Sequence, residues 1–216
     1  MTVDEHINRI KQLSAQYLSQ WTVSISKTLP RNPDKYSLIV LWNLTKIIDV
    51  PINSRVVIFH SSDLPKGRGW APIFHALANE NKQHVITAVM AAPKVDSGDM
   101  VAKARFTIEP SYTADILREF DEETCMILTS LIVERYESKP IKAIRQVGPP
   151  SYYQRRTPDD NMVDGSKSLN ELLPVIKASG KAHRAYIMYN KTKFYIHIEP
   201  DVKPEFPSDL RIEFFE

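Results

Sequence analysis

His60 ends a run of β-branched and aromatic residues (55–59). It opens the loop His60-Ser61-Ser62-Asp63-Leu64-Pro65-Lys66-Gly67-Arg68-Gly69-Trp70-Ala71-Pro72. An imidazole changes charge near neutral pH, so a histidine at the carboxyl end of a buried strand is placed for acid–base work. Open α/β sheets bind their ligands at those strand ends. A second segment, Asp96-Ser97-Gly98-Asp99, follows the apolar run 84–90. A carboxylate there can orient a histidine and stabilise its cationic form. Taken singly, the first segment also reads as a solvated loop, and the second as an Asp-Ser-Gly turn.

The surrounding chain supplies strands and helices in alternation. Residues 3–20 place Ile7, Ile10, Leu13, Tyr17 and Leu18 at helical spacing, an amphipathic helix. Residues 22–26 alternate apolar and polar, which predicts a short strand, and residues 30–34 form a Pro/Asn/Asp turn. Residues 37–41 and 55–59 read as buried parallel strands, and the connection 43–54 has room for a short helix. A helix is expected over 71–79, with Pro72 tolerated in its first turn, and strands over 84–90 and 101–108. Thr113 is positioned to cap a long helix at 114–137, whose apolar stripe runs through Ile116, Phe120, Ile127, Leu128 and Leu131. Beyond Gly148-Pro149-Pro150, residues 151–165 are polar and irregular. A helix at 169–178 contains Pro174, which predicts a bend or an early end. Strands at 184–189 and 193–198 flank Asn190-Lys191-Thr192, a hairpin signal. Residues 200–207, with three prolines, form an extended tail. The interleaving over the first 140 residues predicts an α/β sheet sandwich.

Composition removes several classes of function. The 216 residues carry 28 Lys plus Arg against 26 Asp plus Glu, a net charge of +2. That balance makes no electrostatic case for nucleic acid or an anionic membrane as principal partner. No stretch approaches the ~20 apolar residues of a membrane span, and the start lacks a signal-peptide pattern. The single cysteine, Cys125, permits no intrachain disulfide and no cysteine-cluster metal site. A cytoplasmic protein without a metal is expected. With six glycines in all, neither GxGxxG nor GxxxxGK[ST] occurs, and HExxH and GxSxG are absent as well.

Taken together, the two segments resemble the formyltransferase family that uses 10-formyltetrahydrofolate. The resemblance is carried by a histidine after a strand, Ser61-Ser62-Asp63-Leu64-Pro65, the basic glycine loop through Ala71-Pro72, and Asp96-Ser97-Gly98-Asp99, with 36 residues from His60 to Asp96. The stretch from Pro150 to Asp164 resembles the family's linker after its catalytic domain. The loop pattern is most similar to the small sugar N-formyltransferases of the pseudaminic acid type. The resemblance implies a Rossmann-like α/β formyltransferase domain at 1–150, one that lacks the usual first strand. A linker and a small C-terminal α+β hairpin appendage follow at 151–216.

By the same resemblance, an acceptor amine attacks the formyl carbon and an oxyanion develops. His60 hydrogen-bonds it and helps move protons, and Asp96 orients His60 and takes the amine proton. The donor, 10-formyltetrahydrofolate, is expected against Val40, Leu41 and Trp42 and against Met90, Ala91, Ala92, Pro93, Lys94 and Val95. The acceptor is expected at Asp63, Lys66, Gly67, Arg68, Trp70, Tyr153 and Arg155. The implied acceptor is a nucleotide-linked amino sugar. Another amine, such as methionyl-tRNA or a phosphorylated amine, and a non-catalytic folate or nucleotide-binding module are the alternatives. The expected partners are thus a small-molecule amine and a second copy in a homodimer, with no nucleic acid and no membrane. The family commonly has an oxyanion-polarising Asn where this chain has Ile58. Losing such a donor costs about 2.7–4 kcal/mol of transition-state stabilisation, and Asn43, a backbone amide or His60 can stand in for it.

Other residues have plainer readings. His75 and His84 are expected at the surface or the edge of the core, and His183 and His197 suggest no metal pair. Cys125 reads as a small buried hydrophobe. Trp21 and Trp42 read as packing residues, and Trp70 as a stacking platform for a ligand. Lys139, Lys142, Arg145, Arg155 and Arg156 form a loose basic run at the rim of an anionic ligand or on a solvated face.

Overall fold

A computed structural model describes residues 3–43 and 55–215. The expected helix within 43–54 falls outside the described residues, apart from Asn43. The chain opens with α1 (Val3–Tyr17), shorter at its end than the periodicity predicts, and then runs irregularly to β1 (Ile39–Leu41). The strand expected over 22–26 does not form. Val23 is 42% exposed, and no strand lies beside it to pair the backbone; alternation alone cannot stabilise an isolated strand.

β1 runs parallel to β2 (Val56–His60), with Ile39 opposite Val56 and Leu41 opposite Ile58. That is the parallel pair expected from their continuous apolar runs. β4 (Gln83–Met90) then pairs antiparallel with β2, and β5 (Met100–Thr107) antiparallel with β4. The short β3 (Arg68–Gly69) and α2 (Pro72–Ala78) lie between β2 and β4 in the chain. The long α3 (Ala114–Tyr136) follows β5. Thr113 does precede α3 with extended backbone angles, but its side chain makes no capping hydrogen bond.

α3 covers one face of the sheet. Cys125, Leu128 and Ile132 of α3 are fully buried against Val57, Ile86, Val101, Ala102 and Ala104 of the strands. A second cluster joins Leu77 of α2 to Phe106, Leu117 and Phe120. α1 packs on the outside of α3, where His6 meets Glu122 at 2.9 Å and the Tyr17 hydroxyl donates to Glu123 at 2.6 Å. Burial first, then Glu123, pushes the Tyr17 phenol up to about 12.

The C-terminal third contains β6 (Tyr152–Tyr153), α4 (Leu169–Ser179) and the antiparallel hairpin β7 (Tyr186–Tyr189) and β8 (Thr192–Tyr195). The hairpin turn is Asn190-Lys191, both at positive φ, as a two-residue turn requires. α4 passes through Pro174 without ending early. A capping box explains its firm start: Ser168 accepts from the Glu171 amide, while the Glu171 carboxylate accepts from the Ser168 amide at 3.0 Å and its hydroxyl at 2.7 Å. Those bonds hold the Glu171 carboxyl below its ordinary range. Ser168→Ala is expected to lower stability by about 0.5–2 kcal/mol, measured by urea unfolding, with no change in ligand binding.

Three strands were not foreseen. β3 and β6 form a two-residue parallel pair. β9 (Arg211–Phe214) adds antiparallel to β5, giving the sheet order β1-β2-β4-β5-β9. The segment after residue 150 therefore leaves the main sheet and returns to its edge. The result is the expected α/β architecture, built on a mixed sheet.

Candidate active site

His60 sits at the last position of β2, opposite Thr87 of β4. The Thr87 hydroxyl donates to the Ser62 carbonyl at 2.7 Å, which turns the chain out of the strand directly after the histidine. The following loop is anchored from below. The buried Lys103 ammonium donates to Asp63 at 2.5 Å and to the Leu64 carbonyl at 2.8 Å. Asp63, expected to meet the acceptor, is thus occupied as a structural counterion.

Asp96 reaches the same place from the loop after β4. Its Oδ2 lies 3.5 Å from His60 Nδ1, and both side chains are 9% exposed. The other ring nitrogen, Nε2, lies 2.8 Å from the Gly67 carbonyl. A carbonyl only accepts, so Nε2 carries the proton and donates. Nδ1 is left facing the carboxylate, and a proton arriving there has Asp96 as its acceptor. The Gly69 amide donates to Asp96 Oδ2 at 2.9 Å. The glycine loop is therefore stitched to both residues, at Gly67 to the imidazole and at Gly69 to the carboxylate.

The glycines are required by how closely the linker packs. Gly67 and Gly69 have φ of +70° and +100°. A Cβ on Gly67 would lie 2.5 Å from the Tyr153 ring, and one on Gly69 2.7 Å from the Tyr153 carbonyl oxygen. Ser151 accepts from the Gly67 amide through its hydroxyl and from the Arg68 amide through its carbonyl, both at 2.9 Å. Tyr153 also stacks flat on His75, with ring centroids 4.3 Å apart. Burial pushes the His75 imidazole below its usual range, which favours the neutral ring in this stack.

The Asp96 loop is held just as closely. Asp96 itself has φ of +52°. Gln146 donates through one amide nitrogen to the carbonyls of Asp96 (2.9 Å) and Gly98 (2.8 Å), and it accepts from Arg68 at 2.7 Å. Nothing in the sequence singles out this glutamine, because its three partners are remote in the chain. Gln146→Leu leaves two carbonyls and a guanidinium without it. A loss of about 1–3 kcal/mol in thermal unfolding is expected, with slower turnover and an unchanged fold by circular dichroism.

His60 and Asp96 open onto a cavity of about 570 Å³. Of the residues expected around the donor, Trp42, Met90, Ala92, Pro93, Lys94 and Val95 line it. Val40, Leu41 and Ala91 do not: Leu41 and Ala91 are buried with Ile39 and Val56 in a core cluster, and Val40 packs against the core. Of those expected around the acceptor, Trp70 and Arg155 line the cavity. Asp63, Lys66, Gly67, Arg68 and Tyr153 lie outside it: Gly67 and Tyr153 pack on one another and Arg68 turns to Gln146. Ile58 and Asn43 are both on the wall. The far wall comes from α3, the linker and the end of α4 through Arg118, Asp121, Glu122, Arg156 and His183; of these the sequence singled out only Arg156, in its basic run.

His84 corrects an expectation. It is 1% exposed rather than at an edge, and its Nε2 lies 2.7 Å from Asp121. A strand's own sequence cannot reveal that a helix places a carboxylate over one of its residues. Cys125 is fully buried, and burial pushes its thiol up.

Trp42, Phe59, Met90, Ala92 and Pro93 supply apolar surface to the cavity beside His60 and Asp96. Residues 33–129 match the family model described as Formyl transferase. The methionyl-tRNA formyltransferase of Lactococcus lactis subsp. lactis (strain IL1403) is 28% identical over 156 residues, which cover 70% of this chain and 47% of the relative. The chain spans about half the length of the curated relatives it matches. Among solved structures, the methionyl-tRNA formyltransferase from Clostridium thermocellum superposes with a TM-score of 0.73 at 20% identity, covering 99% of this chain and 96% of that one. The N-formyltransferase from Helicobacter canadensis, solved with folinic acid and dTDP-3-aminofucose, gives 0.55 at 21% identity over 65% of this chain and 53% of that one. The fold is the α/β formyltransferase fold.

Proposed function

We propose that this chain transfers a formyl group from 10-formyltetrahydrofolate to a primary amine. The observation that carries the reading is His60 facing Asp96 at 3.5 Å on the wall of a cavity with apolar sides. The matching family and the folate analogue in the Helicobacter canadensis structure support the donor.

The bound donor supplies an electrophilic formyl carbon. The chain supplies the handling of protons around it. The Gly67 carbonyl fixes Nε2–H of His60 and so holds Nδ1 toward Asp96. An ammonium cannot attack, so the acceptor must give up a proton; His60 Nδ1 and Asp96 can receive it in turn. Ile58 offers no hydrogen bond to a developing oxyanion; the Asn43 amide on the same wall can donate one, and His60 can do so from Nδ1 only once that nitrogen has taken a proton, since its Nε2–H is held by the Gly67 carbonyl.

The acceptor we favour is the amino group of a nucleotide-linked amino sugar. The motif carried by residues 60–72 and the sugar-nucleotide ligand of the Helicobacter canadensis enzyme support it. The α-amino group of methionyl-tRNA is the second reading, favoured by the names of the curated relatives and of the Clostridium thermocellum structure. Titration with 5-formyltetrahydrofolate, a stable donor analogue, tests the donor side by isothermal calorimetry. Saturable one-to-one binding, weakened by Ala92→Trp on the cavity wall, is expected. No binding would remove the folate from the proposal.

A further inference from the structure

Charge is distributed unevenly on the cavity wall. Four carboxylates line it, Asp96, Asp115, Asp121 and Glu122. Each already holds a partner of its own: Asp96 the Gly69 amide at 2.9 Å, Asp115 the Lys181 amide at 3.0 Å, Asp121 the His84 ring at 2.7 Å and Glu122 the His6 ring at 2.9 Å.

The cations of the same wall are not matched in this way. Arg118, Arg155 and Arg156 line the cavity. Among the described residues none of the three forms an ion pair with a carboxylate, whereas Arg9 pairs with Glu123 and Arg105 with Glu213. Two of them are held in place by neutral groups instead. The Arg155 guanidinium lies over the Trp70 ring, 4.9 Å from its centroid. Arg156 lies over Phe74 at 3.8 Å and donates to Asn161 and, at 3.2 Å, to Ser179. Burial lowers the Arg156 guanidinium to about 10; the Asp160 carboxylate opposes the shift and Arg118 adds to it. His183, on the same wall, is pushed down by burial, then by Arg156 and Arg118. The Asp160 carboxylate acts on Arg156 only from beyond ion-pair distance; like charges gathered with no carboxylate in contact cost stability unless an anion completes the site. The planar fork of an arginine matches phosphate oxygens two at a time.

We infer that Arg118, Arg155, Arg156 and His183 form a subsite for the phosphate of the acceptor, on the wall built by α3, the linker and the end of α4. The word acceptor rests on the transfer activity proposed above; the anion site does not. The phosphate can belong to a nucleoside diphosphate or to an RNA backbone, and the two share this chemistry.

The test uses the purified full chain and inorganic pyrophosphate, followed by isothermal calorimetry at fixed ionic strength. Saturable binding is expected, weakened about tenfold by Arg118→Gln and again by Arg155→Gln, with circular dichroism unchanged. Absence of saturable binding, or binding indifferent to both substitutions, would overturn the inference. Competition against pyrophosphate then identifies the source. Displacement by dTDP or by a short RNA supports the subsite and names which phosphate it serves. Displacement by 5-formyltetrahydrofolate instead would assign the arginines to the donor's carboxylate tail and overturn the acceptor role. A chain that binds pyrophosphate at these arginines yet transfers no formyl group keeps the anion site and loses the activity. A chain that transfers formyl without binding pyrophosphate loses this inference alone.

Discussion

His60→Ala is expected to slow formyl transfer by about 10²–10⁴-fold, the usual contribution of a positioned proton-transfer group, while 5-formyltetrahydrofolate still binds. The imidazole touches both halves of the site: Nε2 donates to the Gly67 carbonyl, and Nδ1 faces Asp96. Alanine removes the proton carrier and leaves that carbonyl and the carboxylate without it. Asp96→Asn separates charge from shape. Its amide oxygen can still accept from the Gly69 amide, so the loop is kept, but the acceptor for a proton at Nδ1 is lost. The loss should fall on kcat rather than KM. Equal loss of donor binding in both variants would show that they disturb the cavity rather than the chemistry.

The second large effect is expected at Gly98, which lines the cavity but has no side chain to do chemistry. A Cβ there would stand 1.7 Å from the Met90 carbonyl oxygen and 2.8 Å from its carbon. Both are backbone atoms and cannot rotate away. The Met90 amide also donates to the Asp99 carbonyl at 2.8 Å, so the loop is fastened back to the end of β4 directly after Gly98. Gly98→Ala must lift the loop, and Asp96 with it. A cost of about 1–3 kcal/mol is expected from overpacking. Displacing the carboxylate by about 1 Å can cost a further 10²-fold in rate. Thermal unfolding and turnover should therefore both fall. A variant with ordinary stability and full activity would show that this loop does not position Asp96.

The sequence made the strand ends legible and left the clamps hidden. β2 and β4 announce themselves as short apolar runs, and His60 and Asp96 lie where those runs stop. Their meeting followed from motif and order, not from periodicity. One wall of the cavity was legible for the same reason: residues 92–95 continue from the end of β4 and line what opens there. Tyr153 and Arg68 were misplaced as acceptor contacts because exposed aromatic and basic residues in a loop look alike whether they face a ligand or a neighbouring segment. Here Tyr153 fills the space that two glycines leave, and Arg68 turns to Gln146. β9 was missed because Arg211–Phe214 is four residues with alternating charge, a pattern that becomes a strand only when the edge of β5 is available to pair with it. The arginine wall depends on three distant segments, and no local pattern shows that Arg118 and Arg156 share a cavity.

The most direct measurement is turnover. The full chain is incubated with 10-formyltetrahydrofolate and either dTDP-linked amino sugars or methionyl-tRNA, and both tetrahydrofolate release and product mass are followed. The account predicts tetrahydrofolate released in step with an acceptor that gains one formyl group, and neither signal in His60→Ala. Release of tetrahydrofolate at the same rate in wild type and His60→Ala, or no formylated product from any amine offered, would contradict it.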